Sequence, residues 1–279
     1  SAHRSGGWVL GGCRSVTGVW MESKVSWEPE RYLKYDSLRL RPALDLLARV
    51  THDGPRRVLD LGCGPGTVTT LLAERWPNAV ITGVDSSTEM LARAVAAYPG
   101  LRWVEADIAH WQAEEPVDVI FSNAALHWLD DHETLFPRLA ASLATGGVLA
   151  VQMPANFDAP SHRIIRALAS SAGWAPFLAG ARMGSVMGVE QYWSVLTSLF
   201  DKVELWETIY WQRLQGENAV LEWLRGTTLV PYLARLDEGQ CADFLSELGA
   251  ELLRAYPVRE RGEVLFPFKR LFMIGSTTR

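Results

Sequence analysis

The stretch RVLDLGCGPGTVTTLLAERWP, residues 57–77, runs without a break from a buried strand through a glycine-rich turn into the opening of a helix. Arg57, Val58, Leu59 and Leu61 read as a short apolar strand. Gly62, Gly64 and Gly66 permit backbone angles, and a closeness of ligand approach, that a Cβ would forbid. Asp60 departs from the dinucleotide-binding pattern. A turn that seats a pyrophosphate on a helix N-terminus gains nothing from a carboxylate just ahead of it. The ligand is therefore expected to carry hydroxyls or positive charge. S-adenosylmethionine, a sulfonium with an amino-acid tail and no phosphate, meets that description.

Working outward, strands and helices alternate through the first half, which implies a parallel sheet covered on both faces, with function gathered at the strands' carboxyl ends. AVITGVD at 79–85 ends in Asp85, about the twenty residues beyond the glycines at which an acidic group meets ribose hydroxyls. Ser86 with Glu89 reads as a capping box for the helix TEMLARAVAAY. LRWVEAD at 101–107, VDVIFSN at 117–123 and GGVLAVQMP at 146–154 supply further strands, with Asp107 and Asn123 at strand ends. After Pro154, Pro160, Gly173, Pro176, Gly180, Gly184 and Gly188 punctuate short helical pieces that read as an inserted lid. KVELWETIYWQRL at 202–214 and GEVLFPFKRLFMIGST at 262–277 read as an antiparallel edge pair. Between them, helical sequence breaks near Gly226 and Pro231. The expected fold is α/β, Rossmann-like, with seven mostly parallel strands. Helical segments at about 157–200 and 215–260 cover the mouth.

Composition bounds the partners. The chain has 279 residues, a net charge of -5 and 48% hydrophobic content. These values suit a soluble globular enzyme and argue against a broad nucleic-acid surface. Cys13, Cys63 and Cys241 are odd in number and far apart, so neither a disulfide framework nor a metal site is written here, and a reducing, cytoplasmic setting is expected. No run approaches the roughly 20 apolar residues of a membrane span. Residues 1–20 lack any helical or strand period and read as a mobile extension ahead of Met21, with 21–279 forming one catalytic domain. A monomer is expected.

Other segments narrow the reading. WEPERYLKYDSLRLRPALDLLARV at 27–50, LDLGCGPG at 59–66, ITGVDSS at 81–87, NAALHWLDDH at 123–132, VQMPANFDAPSH at 151–162 and FPFKRLFM at 266–273 together resemble the trans-aconitate methyltransferase family. LDLGCGPG alone marks only the broader class I methyltransferases. Thr67, where relatives often carry Asn, and Lys269, where they often carry Arg, depart from the pattern.

The resemblance implies methyl transfer from S-adenosylmethionine to one carboxylate of trans-aconitate, giving a monomethyl ester. A carboxylate is already ionised at neutral pH, so no general base is required. The enzyme must align the reactants and exclude water. For the cofactor, the resemblance implies Gly62, Gly64 and Gly66 at the close approach, Asp60 toward the methionine amino end, and Asp85 with Ser86 at the ribose. Asp107, Ile108 and Met90 are expected around the adenine, with Asn123 and Ala124 offering backbone carbonyls to the methionyl ammonium.

For the substrate, Trp27, Tyr32 and Arg39 come from a segment that reads as a helical cover running into Pro42. Arg39 and Arg41 lie about 200° apart on a helix, so one of them is expected to enter the pocket. His127, beside Trp128, is the candidate orienting donor to a substrate carboxylate. Gln152, Asn156 and Arg182 are further candidates, and His162, Arg163, Tyr192, Lys269 and Arg270 stand behind them. A class I methyltransferase with another small acceptor is the alternative reading. A nicotinamide-dependent oxidoreductase fits less well, because Asp60 precedes the loop and no Tyr-x-x-x-Lys pair is placed for hydride chemistry.

Overall fold

The computed structural model describes residues 36–259 and 261–278. A seven-stranded sheet organises these residues. In chain order the elements begin with α1 (Asp36–Arg49), β1 (Arg57–Leu61), α2 (Thr67–Arg75), β2 (Val80–Asp85), α3 (Thr88–Ala97), β3 (Arg102–Glu105) and β4 (Val117–Asn123). A 3-10 turn over Leu126–Trp128 leads to α4 (His132–Ala141), β5 (Leu143–Pro154), α5 (Pro160–Ala169), α6 (Ala175–Leu178) and α7 (Val189–Leu199). The chain closes with β6 (Lys202–Gln215), α8 (Ala219–Arg225), α9 (Val230–Leu233), α10 (Glu238–Ala255) and β7 (Glu263–Ser276). The strand order is β3-β2-β1-β4-β5-β7-β6. The first five strands pair in parallel, while β7 runs antiparallel between β5 and β6.

Order reverses at β1, which lies between β2 and β4, and this switch point opens a crevice beyond the strands' carboxyl ends. Strand pleating sends successive residues to opposite faces and so builds two cores. Val58, Val119, Val148 and Ala150 join Leu46 and Leu47 of α1, Leu72 of α2 and the aromatic Trp223, Phe244, Phe266 and Phe272 on one face. Their neighbours Leu59, Ile120, Leu149 and Val151 join Phe136 of α4 and Tyr192, Leu196 and Phe200 of the α7 region on the other.

Two details differ from the sequence reading. α1 does not end at Pro42 but continues through it to Arg49. The missing N–H and the crowding of the preceding turn are offset by burial of Ala43, Leu46, Leu47 and Val50 on one stripe. The cap of α3 is Ser87 rather than Ser86, since the Ser87 hydroxyl accepts from the Met90 N–H at 3.3 Å. Ser86 is left facing the crevice. Residues 1–35, including the expected extension and the first part of the cover, lie outside the described residues. Among the described residues no helix is long and apolar enough to cross a membrane.

The β7–β6 pair extends past β5. β5 stops pairing at Pro154↔Arg270, whereas β6 follows β7 to Gln215↔Glu263, leaving a two-stranded ribbon. One face of this ribbon, with Tyr210, Leu214, Phe266 and Phe268, packs beneath α8, against which α10 is layered in turn. The sheet end of the same hairpin is tight: a Cβ on Gly275 would stand 2.3 Å from the Phe200 ring. Gly275→Ala is expected to cost about 1–3 kcal/mol in urea unfolding. A second change, Phe200→Leu, should recover part of that loss in a double-mutant cycle; strict additivity would contradict the contact.

Candidate active site

The crevice deepens into a cavity of about 420 Å³. Its lining comes from every carboxyl-end turn of β1 to β5, from α1, from the segments around Met183 and Trp223, and from Phe268 and Arg270 of β7. The glycine turn earns each glycine for a different reason. Gly62 (φ +75) faces Ala125, and a Cβ would fall 2.1 Å from that residue's methyl group. Gly66 (φ +86) is overlaid by Trp103, with 2.5 Å available. Gly64 (φ +52) has open space beyond its Cα and lines the cavity, so it is the point at which a ligand comes close to the backbone.

Asp85 fixes this turn. One of its carboxylate oxygens accepts from the Gly64 N–H at 2.8 Å, and the other accepts from the Ser87 N–H at 2.9 Å. Asp60 sits behind the turn, buried, and accepts from the Thr69 hydroxyl at 2.6 Å. Burial pushes its carboxyl up to about 7 despite that hydrogen bond, with the charge of Asp85 adding in the same direction. Burial also raises the Cys63 thiol, and Asp60 and Asp85 raise it further, which keeps it protonated. Asp107 holds the start of the next turn through the Ala109 N–H at 2.9 Å, with its side chain on the cavity wall.

On the far side, β4 ends in a sharp change of direction at Ala124 (φ 54), a left-handed conformation uncommon for a residue with a side chain. The turn throws Leu126, His127 and Trp128 across the crevice. His127 is clamped there: the Ser185 N–H donates to its carbonyl at 2.8 Å, and a Cβ on Gly184 would stand 2.4 Å from its ring. Its ring lies 4.8 Å from that of Trp128. Burial, reinforced by the nearby charge of Arg270, holds His127 well below the usual imidazole range, so it stays neutral. Its Nδ1 has no hydrogen-bond partner among the described residues.

A second imidazole braces the first. His132 Nε2–H donates to the Leu126 carbonyl at 2.9 Å, so its Nδ1 accepts from the Tyr192 hydroxyl at 2.6 Å. The Met187 N–H donates in turn to the Tyr192 oxygen at 3.2 Å.

Of the expected site residues, Asp60, Gly62, Gly64, Asp85, Ser86, Met90, Asp107, Ile108, Asn123 and Ala124 line the cavity, as do Arg39, His127, Trp128 and Asn156. Gly66, Gln152 and Arg182 do not. Gly66 packs on Trp103, and Gln152 is wholly buried inside β5 with neither amide atom hydrogen-bonded. On the outside, Arg182 Nη1 donates to both carboxylate oxygens of Asp130 at 2.7 and 2.8 Å while its Nη2 donates to the Trp128 carbonyl at 3.2 Å, bracing the His127 loop. Trp27 and Tyr32 lie outside the described residues.

Tyr192 serves the brace just described, Arg163 is exposed, and Lys269 pairs with Glu207 at 2.7 Å away from the cavity. Arg270 and His162 do line it. Sequence reasoning missed Phe157, Met183, Gly184, Trp223, Thr227, Thr228 and Phe268, which reach the cavity only through the packing of the second half. The lone signal for them was the clustering of glycines and prolines after Pro154. Among the described residues no group of His, Cys, Asp or Glu could hold a metal ion.

A family model described as a methyltransferase domain matches residues 58–147. Among solved structures, a putative methyltransferase from Bacillus halodurans aligns with 86% of this chain and all of its own, at 13% identity and a TM-score of 0.56. Phosphoethanolamine N-methyltransferase 2 of Haemonchus contortus aligns with 85% of this chain and 52% of its own, at 17% identity and a TM-score of 0.51. Sheet order and glycine turn are those of a class I methyltransferase. Trans-aconitate 2-methyltransferase of Azoarcus sp. is 47% identical over 90% of this chain and 98% of the relative. The enzymes of that name from Klebsiella pneumoniae and Methylobacterium nodulans are 45% and 46% identical over similar spans. The chain belongs to the trans-aconitate 2-methyltransferase family.

His162 gives this region a pH signature. Burial, reinforced by the charge of Arg166, lowers its imidazole to about 4, while Asp158 opposes the shift. As pH falls from about 6.5 to about 4 the unfolded chain takes up a proton that the folded one refuses, so stability drops, by up to about 3 kcal/mol. Above about 6.5 the residue contributes no pH dependence. His162→Gln should lose stability less steeply than the parent over that acid window, read by urea unfolding at a series of pH values.

Proposed function

We propose that this protein transfers the methyl group of S-adenosylmethionine to a carboxylate of trans-aconitate, forming a monomethyl ester. The family supports the acceptor, because the curated relatives at 45–47% identity carry that substrate in their name. One observation on the chain itself carries the donor. Cavity-lining residues between 60 and 108 include three carboxylates, Asp60, Asp85 and Asp107, and no basic side chain. A phosphate-bearing dinucleotide is poorly served by such a wall, whereas a cationic ligand with ribose hydroxyls and no phosphate suits it.

The residues then take distinct tasks. Gly64 gives the ligand access to the backbone, Asp85 and Ser86 suit ribose hydroxyls, Met90, Asp107 and Ile108 suit the adenine, and Asn123 and Ala124 suit the methionyl ammonium. Held by these residues, S-adenosylmethionine would supply an electrophilic methyl carbon to an ionised carboxylate, with the thioether as leaving group and no proton to be transferred. No general base is required of the chain, which fits a His127 held neutral as a hydrogen-bonding group rather than as a proton acceptor. Asn156, Arg39 and Trp128 stand beside it as acceptor-binding groups. Holding the reactants in line is worth roughly 7–11 kcal/mol of barrier.

Incubation with methyl-labelled S-adenosylmethionine and a panel of polycarboxylates should label trans-aconitate as a base-labile ester located by mass spectrometry; no labelled ester with any of them would sink the proposal. Asp85→Ala should raise the donor Kd about 100-fold or more, consistent with the loss of charge-assisted hydrogen bonds. His127→Ala should raise the acceptor KM and leave the donor Kd alone. Because Asp60 ionises near pH 7 in the free site, a bound cation should draw its proton off. Calorimetry at pH 7 in buffers of different ionisation enthalpy should register release of about half a proton, absent in Asp60→Asn.

A further inference from the structure

The cavity is electrically divided. Its carboxylates all lie at the ends of β1, β2 and the strand after them, whereas the described lining residues from 123 onward include no acid at all. Two buried guanidinium groups also border the cavity, Arg39 from α1 and Arg270 from β7. Both are carried on aromatic rings. Arg39 stands 4.8 Å from the Trp223 ring centre and donates to the Trp223 carbonyl at 3.2 Å; Arg270 stands 3.7 Å from the centre of Phe268. A cation–π contact of this kind restricts the orientations open to each guanidinium at the cavity wall.

Arg270 owes its position to strand parity. It pairs opposite Pro154 of β5 and Thr208 of β6, where the cavity wall passes from sheet to ribbon. Its neighbour Lys269 points the other way and is spent on Glu207. Arg270 is 5% exposed, yet it borders the cavity and acts on His127 through its charge.

We propose that Arg270 is a specificity-determining residue of the acceptor pocket, gripping a carboxylate of the substrate other than the one that is methylated. The inference rests on the methyl-transfer reading above. The chemistry assigns the arginine to the spectator group. A bidentate fork occupies both oxygens of the carboxylate it holds and draws off their electron density, whereas a nucleophilic carboxylate must keep a lone pair open toward the methyl carbon. A single hydrogen bond from a neutral side chain such as His127 or Asn156 leaves that lone pair available. The pocket therefore selects acceptors with at least two carboxylates, one to be held and one to react.

The test compares the parent protein with Arg270→Lys and Arg270→Gln, using trans-aconitate, the dicarboxylate glutaconate and the monocarboxylate crotonate, which share an alkenoate skeleton. Donor Kd is measured by calorimetry, and acceptor binding and turnover are measured separately. Arg270→Gln should lower kcat/KM for trans-aconitate by about 100-fold, mainly through KM, and for crotonate by less than about threefold, with donor Kd unchanged. Arg270→Lys keeps the charge but not the fork and should fall between, near tenfold. An equal loss on all three acceptors, or no loss on trans-aconitate, would overturn the inference while leaving the methyl-transfer reading in place. Arg270-dependent binding of trans-aconitate without turnover would overturn that reading and with it the assignment to a spectator carboxylate, leaving Arg270 only as a carboxylate-binding residue. Failure of the parent to bind any of the three overturns both.

Discussion

The interaction on which the site depends is the pair of hydrogen bonds accepted by the Asp85 carboxylate. One reaches back to the Gly64 N–H and the other forward to the Ser87 N–H, so a single side chain at the end of β2 joins the turn after β1 to the start of α3. Three left-handed glycines in five residues would otherwise leave that turn with many conformations to lose on folding. Each amide–carboxylate bond adds on the order of 1.5–3 kcal/mol where it is shielded from water. The same anion borders the cavity, so the group that shapes the turn also presents charge to whatever the turn receives.

A second consequence concerns charge. Carboxylates gather at the ends of the early parallel strands, and guanidinium groups arrive from α1 and β7, so the cavity has a negative and a positive end. Such a division suits two reactants of opposite sign meeting in the middle. In a space poor in water their attraction is screened far less than in solution, and fixed side chains do the work of a hydration shell without having to reorganise. His127 sits where the two ends meet, neutral because it is buried beside Arg270.

The brace behind His127 explains why a loop can be so definite. Ala124 accepts a strained backbone, Gly184 yields room for the imidazole, the Ser185 N–H holds the carbonyl, and His132 with Tyr192 secures the Leu126 carbonyl one residue earlier. None of these four contacts is local in sequence except that between His132 and Leu126. Two of the partners, His132 and Tyr192, are supplied by α4 and α7, and the other two, Gly184 and Ser185, by the segment just ahead of α7.

What the sequence determined by itself was whatever depends on near neighbours and on period. LDLGCGPG with Asp85 about twenty residues on was sufficient for the turn, the parallel half of the sheet and the chemical character of the donor wall, because these are set by strand alternation and backbone freedom. Only the tertiary structure decided which polar residues of the second half reach the cavity. Lys269 and Arg270 were equal candidates until the register of β7 against β5 and β6 sent one outward to Glu207 and the other inward. Arg182 and Gln152 occupied promising segments, but a salt bridge to Asp130 took the first outside and the second lies wholly buried within β5, short of the cavity. Trp223, Met183 and Thr227 carry no motif, and they line the site because α8 and the loop before α7 are packed over it. Facing is a property of packing against partners distant in the chain, and no local pattern records it.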